Sequence, residues 1–308
     1  STMIFVAGKL GGVFYHRLQV PYEDLMLRGY MVKFGQLDEL DKYKGAITHL
    51  VINRGVATKN HRAFRGMLNK HGIKLILDLD DWWVLPRHHA NRNALKTSDI
   101  LWSIKIADEI HTTNPVLAEL IQKENPYVPI WVLPNAIDTR REQWADIEKV
   151  EGFNVGYMGA LHHDDDLAYN RINLAGLNSY TIEYYKASLN ASNAFERADH
   201  TTYGKLYKQI HVSIAPLAPS TFNKCKSNLK AIEAGFTKTC IIAQDMHPYT
   251  PFLNENNAIL CKGPAHWEEE LKNLDPARCA ELAEQLHKDV QFYTIQNIND
   301  TRQQCFAQ

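Results

Sequence analysis

The chain has 308 residues, 45% of them apolar and 22% charged, and its 34 Lys and Arg face 35 Asp and Glu for a net charge of −1. That length suits two domains of roughly 150 residues each, and the composition excludes a disordered chain. The charge balance excludes a uniformly basic nucleic-acid coat, though not a local basic patch. No apolar run of about 18 residues occurs, so no transmembrane segment is expected. No leader-like stretch follows Met3, and a cytoplasmic protein is expected. The cysteines, Cys225, Cys240, Cys261, Cys279 and Cys305, form no CxxC pair. Neither a disulfide framework nor a structural zinc site is therefore expected, and small buried thiols in a reducing compartment are.

The first half alternates short apolar strands with helices. Strands are expected at 3–7, 31–34, 47–53, 74–79, 109–112 and 130–133, and helices at 13–28, 61–70, 91–107 and 116–123. A glycine turn, GKLGG, follows the first strand. After a charged stretch the pattern restarts. Strands are expected at 153–159, 181–185, 212–215, 239–243 and 258–261. Helices are expected at 166–176, 203–209, 227–234, 266–272 and 276–290, and a helical end at 292–308 with a break near 297–300. Apolar strands spaced by helices make parallel sheets covered on both faces. The expected fold class is α/β, two Rossmann-like domains facing each other across a cleft. Ligands of such sheets lie at the carboxyl ends of the strands.

Candidate site residues cluster in a few places. The strand 212–215 ends at Pro216, and after a polar loop a helix starts near Ser227, which could cap it. Amides at Ser227, Asn228 and Leu229, with the helix dipole, would hold anionic oxygens. Lys224, Lys226 and Lys230 add positive charge, and Lys226 can clamp a diphosphate. Glu233 follows at one and a half turns, where its two oxygens could accept from the vicinal hydroxyls of a ribose. In the N-terminal turn, Gly11 and Gly12 allow a phosphate close to the backbone, although neither GxGxxG nor a GKS/T loop is present. In YMGALHHDDDLAY, the carboxylates of Asp164, Asp165 and Asp166 suit a helix N-terminus, and His162 and His163 sit in the turn before it. No third ligand spacing supports a metal there, and no metal site is expected.

LILDLDDWW places Asp78, Asp80 and Asp81 at the end of a strand, followed by Trp82 and Trp83. One reading is an acceptor site, with Asp81 orienting a hydroxyl or acting as base and a tryptophan as stacking platform. The other is a DxD pair holding Mn²⁺ or Mg²⁺. Between Arg54 and Lys96, nine Lys and Arg (Arg54, Lys59, Arg62, Arg65, Lys70, Lys74, Arg87, Arg92 and Lys96) meet only those three aspartates. A polyanionic acceptor such as DNA with a hydroxymethylated base, or a phosphorylated lipid or glycan, suits that excess. His111, at a strand end, could contact a transferred sugar.

Several of these segments together resemble the nucleotide-sugar glycosyltransferases of the two-Rossmann-domain (GT-B) type, near family 4. They are GALHHDDDL at 159–167, VSIAPL at 212–217, FNKCKSNLKAIEAG at 222–235, IIAQDMHPY at 241–249, and VLPNAID at 132–138, which is similar to the family's interdomain VIPNGVD. The order matches over most of the chain. The resemblance implies an N-terminal acceptor domain at 1–145, a donor domain at 146–290, and a helical segment at 291–308 packing back on the N-terminal domain. It implies that Glu233 binds the donor ribose, that Lys226, Ser227 and Asn228 hold the diphosphate, that His163 lies near the donor, and that Gly12 faces its phosphates. Such enzymes mostly retain the anomeric configuration and need no bound metal. The chain departs from the family where a glutamate usually stands eight residues before the ribose glutamate, for here it is Cys225. It departs again at the turn after Gly159, which is acidic and lacks the usual basic pair.

The expected activity is transfer of a sugar from a UDP- or GDP-sugar to an acceptor hydroxyl, with no other cofactor. Lys226, with the helix start, would stabilise the leaving diphosphate, and Asp81 or His111 would orient the acceptor. The acceptor is a glycan, a lipid or modified DNA. The competing expectations are a nucleotide-sugar epimerase or hydrolase, and a non-enzymatic nucleic-acid-binding module.

Overall fold

The computed structural model describes residues 1–9, 11–85 and 96–307. It divides into two compact units, one of Ser1–Asn135, Cys225–Ser227 and Ile295–Gln308, the other of Ala136–Lys224 and Asn228–Thr294.

Unit 1 holds six parallel strands: β1 (Met3–Ala7), β2 (Met31–Gly35), β3 (His49–Asn53), β4 (Lys74–Leu79), β5 (Glu109–Thr112) and β6 (Ile130–Val132). Their order is β2-β1-β3-β4-β5-β6. Successive side chains of a strand point to opposite faces, so a sheet covered twice needs strands apolar throughout. β1 shows this directly. Ile4 and Val6 join Leu18, Tyr22 and Leu25 on one face. Phe5 and Ala7 join Leu50, Leu68 and Leu75 on the other. Each such large side chain contributes ~1.5–3 kcal/mol on burial.

The helical run after β1 is not uniform. It comprises Gly12–Phe14, a π-helical turn at Tyr15–Gln19, and Val20–Leu27. The Val20 N–H reaches back five residues to the Tyr15 carbonyl. Pro21 explains the widening, because it has no N–H to give and its ring would press on the carbonyl four residues back in a regular α-turn. The chain end also belongs to this unit. Helix Ile295–Arg302 runs unbroken into a 3₁₀ turn at Gln303–Phe306, so the break expected near 297–300 is absent. There the Asn299 amide donates to Asp24 Oδ2 and to the Pro21 carbonyl, both at 2.8 Å.

Unit 2 repeats the architecture with β7 (Val155–Tyr157), β8 (Ser179–Thr181), β9 (Asn193–Ala194), β10 (Val212–Ala215), β11 (Cys240–Gln244) and β12 (Ile259–Cys261). The order is β12-β11-β10-β7-β8-β9, all parallel. The fold class is thus α/β, two Rossmann-like units.

Three expected elements need correction. The stretch 181–185 is not a strand: β8 stops at Thr181 and a helical turn occupies Glu183–Lys186, where Tyr185 packs edge-on against Tyr157. The helix expected over 166–176 is Asp164–Tyr169. It stops at Asn170, whose amide is drawn to the Asp166 and Leu217 carbonyls, both at 3.1 Å. The helix expected from residue 91 runs over Thr97–Ile106, and residues 91–95 lie outside the described residues. All five cysteines are free and buried. Among the described residues no helix is long and apolar enough to cross a membrane.

Candidate functional site

In a doubly wound sheet, ligands bind outside the carboxyl ends of the strands where the winding reverses. In unit 2 that point lies between β7 and β10, the two central strands. The loops leaving them are tied together by one carboxylate. Asp166 is buried, and its Oδ1 accepts from the Ala218 N–H at 2.8 Å and from the Asn223 amide at 2.7 Å. Its Oδ2 faces His163 Nδ1 at 3.4 Å, and the His163 N–H donates to the Tyr185 hydroxyl at 2.9 Å. His163 is thereby fixed at the head of the helix Asp164–Tyr169. Asp166 was expected only as a favourable charge at a helix start, whereas it also sets the shape of the loop after β10.

The helix after that loop is Leu229–Phe236, capped by Asn228 without a side-chain hydrogen bond. The N-cap position is thus Asn228, one residue after Ser227, whose hydroxyl accepts from the Asn135 amide at 2.9 Å. Lys230 Nζ lies 5.0 Å from the centre of the Tyr157 ring, a cation–π contact at the end of β7. Glu233 is buried at 2% exposure, and its Oε2 has no hydrogen-bond partner. Burial pushes its carboxyl up to about 8 against the pull of Lys230. Burial, with Glu233 as a lesser contributor, holds the Tyr203, Tyr207 and Tyr249 hydroxyls above their ordinary range, so Glu233 sits near these tyrosines. A buried acceptor left unpaired costs ~1–3 kcal/mol, which a ligand hydroxyl would recover.

Cys225–Ser227 belong with unit 1. The Asn114 amide donates to the carbonyls of Cys225 at 2.8 Å and Lys226 at 3.2 Å, while its Oδ1 caps the helix Pro115–Glu124. Asn135 donates to Ser227 and accepts from Arg17 at 3.2 Å. Arg17 is fully buried and grips both oxygens of Asp78 at 2.9 Å, and it also donates to the Leu133 carbonyl at 2.7 Å. Arg17 thus engages both Asp78 oxygens, the first carboxylate of the DxD pair. Arg17 and Asn114 are site-shaping residues outside the motif segments, and Asn135, within VLPNAID, had no role assigned to it. The one signal was an arginine lodged among the apolar residues of a buried helix face.

Asp81 lies half-buried beside Lys226. Burial pushes its carboxyl up to about 7, against the pull of the Lys226 charge and with the help of Asp80. Trp83 is buried with the Arg54 guanidinium 4.4 Å from its ring centre, so that face is already covered; Trp82 is half-buried. Gly12 opens the first helical turn, with empty space where a Cβ would stand. Leu10, in the same glycine turn, lies outside the described residues.

In unit 1, His111, expected to contact a transferred sugar, is fully buried on β5: its Nε2 meets Glu109 Oε1 at 2.8 Å and its Nδ1 has no hydrogen-bond partner. Glu109 also takes the Lys74 ammonium at 2.7 Å. Among the described residues, Glu109, His111 and Cys305 are a group whose ligand atoms lie within 4.8 Å of one another, all of them buried. The basic excess between Arg54 and Lys96 is also smaller than its sequence window suggests. Arg65 pairs with Asp108 at 2.6 Å and Lys74 with Glu109, carboxylates that lie just beyond the window. Lys59, Arg62, Lys70 and Lys96 remain exposed, while Arg87 and Arg92 lie outside the described residues.

No protein-family model matches the chain, and no curated protein does. Solved structures do. A sucrose-phosphate synthase from Thermosynechococcus elongatus is 13% identical over 99% of this chain and 98% of its own, with a TM-score of 0.72. The Anabaena protein HepE in complex with UDP is 12% identical over 99% of both chains, with a TM-score of 0.66. A glycosyltransferase from Rickettsia africae is 12% identical over 99% of this chain and 97% of its own, with a TM-score of 0.65. The chain has a GT-B-like fold of two Rossmann-like units. At such identities the likeness is one of fold.

Proposed function

We propose that this protein is a glycosyltransferase, near family 4, that moves a sugar from a nucleoside-diphosphate sugar to an acceptor hydroxyl. The observation that carries the reading is Glu233, a buried carboxyl with an unpartnered oxygen, one and a half turns into a helix that starts at Asn228. A ribose diol would satisfy that oxygen, and the diphosphate would then fall towards Lys226, Ser227, Asn228 and Lys230 at the helix start. His163 and Gly12 would lie beside the donor. The fold likeness to HepE, solved with UDP and with UDP-glucose, favours a UDP-sugar over a GDP-sugar.

As the glycosidic bond breaks, negative charge grows on the leaving diphosphate while the sugar takes on oxocarbenium character. Lys226 and the helix dipole would hold that charge. In a retaining reaction the leaving phosphate oxygen can take the acceptor proton while the acceptor oxygen bonds to the anomeric carbon from the same face. Asp81, beside Lys226, would orient the acceptor hydroxyl, and no protein nucleophile is needed. The buried free thiols suit a reducing, cytoplasmic setting.

The test is mass-detected transfer from pooled UDP- and GDP-sugars to a panel of glycans, glycolipids and hydroxymethylated duplex DNA, with and without EDTA. Transfer that persists in EDTA is expected. Absence of both product and nucleotide binding would end the proposal.

A further inference from the structure

Unit 1 has its own winding reversal, between β1 and β3. The residue leaving β3 there is Arg54, and the residue leaving the adjacent β4 is Asp80. Arg54 has a left-handed backbone, φ 72°, held by its N–H on the Asp78 carbonyl at 2.9 Å. For a residue with a Cβ that conformation costs ~1–2 kcal/mol, and such strain gathers at ligand sites. The guanidinium lies over Trp83, yet Arg54 Nε is buried without a hydrogen-bond partner. Asp80 is 8% exposed, and its Oδ1 is also buried without a partner. Arg54 is the favourable charge acting most strongly on Asp80, ahead of Arg17, yet the two form no hydrogen bond or ion pair.

A buried donor and a buried acceptor, coupled but unjoined, call for a group that does both jobs. A hydroxyl does so, since it accepts from Nε–H and donates to the carboxylate. A phosphate does not, since it would accept from Arg54 but bring its charge against Asp80 and Asp81. We propose that Arg54 and Asp80 form a subsite for an uncharged polyhydroxyl group, a sugar ring of a glycan, with one hydroxyl bridging Arg54 Nε and Asp80 Oδ1. Calling this the acceptor subsite rests on the glycosyltransferase reading, whereas sugar binding itself does not. Trp82, half-buried at the loop start, offers the ring an apolar neighbour.

The experiment is saturation-transfer NMR on the full chain without nucleotide. The probes are methyl α-glucoside, methyl α-mannoside and methyl β-galactoside, with hydroxymethylated duplex DNA as competitor and UDP titrated separately by calorimetry. At least one glycoside is expected to bind. Asp80→Asn and Arg54→Lys should each weaken it tenfold or more, while Lys59→Ala, at an exposed position, should not. Arg54→Lys keeps the charge, so it tests the subsite even where Asp80→Asn fails to fold. No glycoside binding, equal affinity in both variants, or DNA binding that these variants abolish in place of sugar binding would overturn the subsite. UDP binding without sugar binding would overturn the subsite and spare the glycosyltransferase reading. Sugar binding without UDP binding would do the reverse.

Discussion

Glu233 gives the sharpest test of the nucleotide site, because its burial makes both stability and binding depend on pH. The folded protein holds this proton up to about 8, against 4.5 for an unperturbed glutamate. Its folded-state contribution is therefore fully present below about 4.5 and is lost as the pH rises through 8, at ~1.4 kcal/mol per unit in between. By pH 7 the loss amounts to ~3 kcal/mol. Glu233→Gln removes the titration. Chemical denaturation should show the variant more stable than the wild type by ~1–3 kcal/mol at pH 7, allowing for its amide's own need of partners, and the advantage should vanish near pH 5. Binding should behave inversely. A carboxylate accepts from two ribose hydroxyls, so nucleotide binding would draw the proton off. At pH 7 a group titrating near 8 is ~90% protonated, so roughly 0.9 proton should leave per UDP bound. Calorimetry in two buffers of different ionisation heat counts that proton. Glu233→Gln should weaken UDP binding by about ten- to a hundredfold and abolish the proton release. A wild type that binds UDP with no proton release, and a variant that binds it equally well, would refute the assignment.

Three other perturbations have defined outcomes. Lys226→Ala should lower kcat about a hundredfold in steady-state transfer while changing donor KM only a few-fold, because its charge is needed most as the diphosphate leaves; an equal loss in donor binding would make it a binding residue instead. Asp78→Asn leaves Arg17 buried without its counter-charge, and urea unfolding should show a loss of ~3–5 kcal/mol; a loss under about 1 kcal/mol would mean that the pair is not a keystone of unit 1. Asp166→Asn exchanges a charged acceptor for a neutral one on Ala218 and Asn223. It should cost ~2–3 kcal/mol and speed hydrogen exchange at the Ala218 amide, whereas unchanged exchange there would contradict its role in shaping the loop after β10.

The strands were legible wherever an apolar run is continuous. Met3–Ala7, Lys74–Leu79 and Val212–Ala215 stand where the pattern puts them, because strands buried on both faces are mostly apolar along their length. The failures share a cause, which is that side chains distant in sequence decide the local outcome. TIEYY has the β-branched and aromatic residues of a strand, but Tyr185 is needed against Tyr157 and under the His163 N–H. Asn193–Ala194 is too short and polar to announce itself. Ser227 offers a capping side chain, yet the helix takes Asn228 as its N-cap, and Asn135, ninety-two residues away, donates to the Ser227 hydroxyl. The site segments at Asp78–Trp83 and Lys226–Glu233 could be found from residue types alone. Which of their side chains are already spoken for could not, since Arg17, Asn114 and Arg54 come from elsewhere in the chain.

The π-turn at Tyr15–Gln19 has a mechanical consequence for all of this. It spends one residue more than an α-turn would, and Arg17 sits at its middle. Each residue of a helix advances the side-chain direction by about 100°. Removing the surplus residue would swing the guanidinium off Asp78, Leu133 and Asn135 together and leave Ser227 without its donor's anchor. A ring lacking an N–H, at Pro21, thus keeps a wide turn open and through it aims the arginine that braces the end of β4.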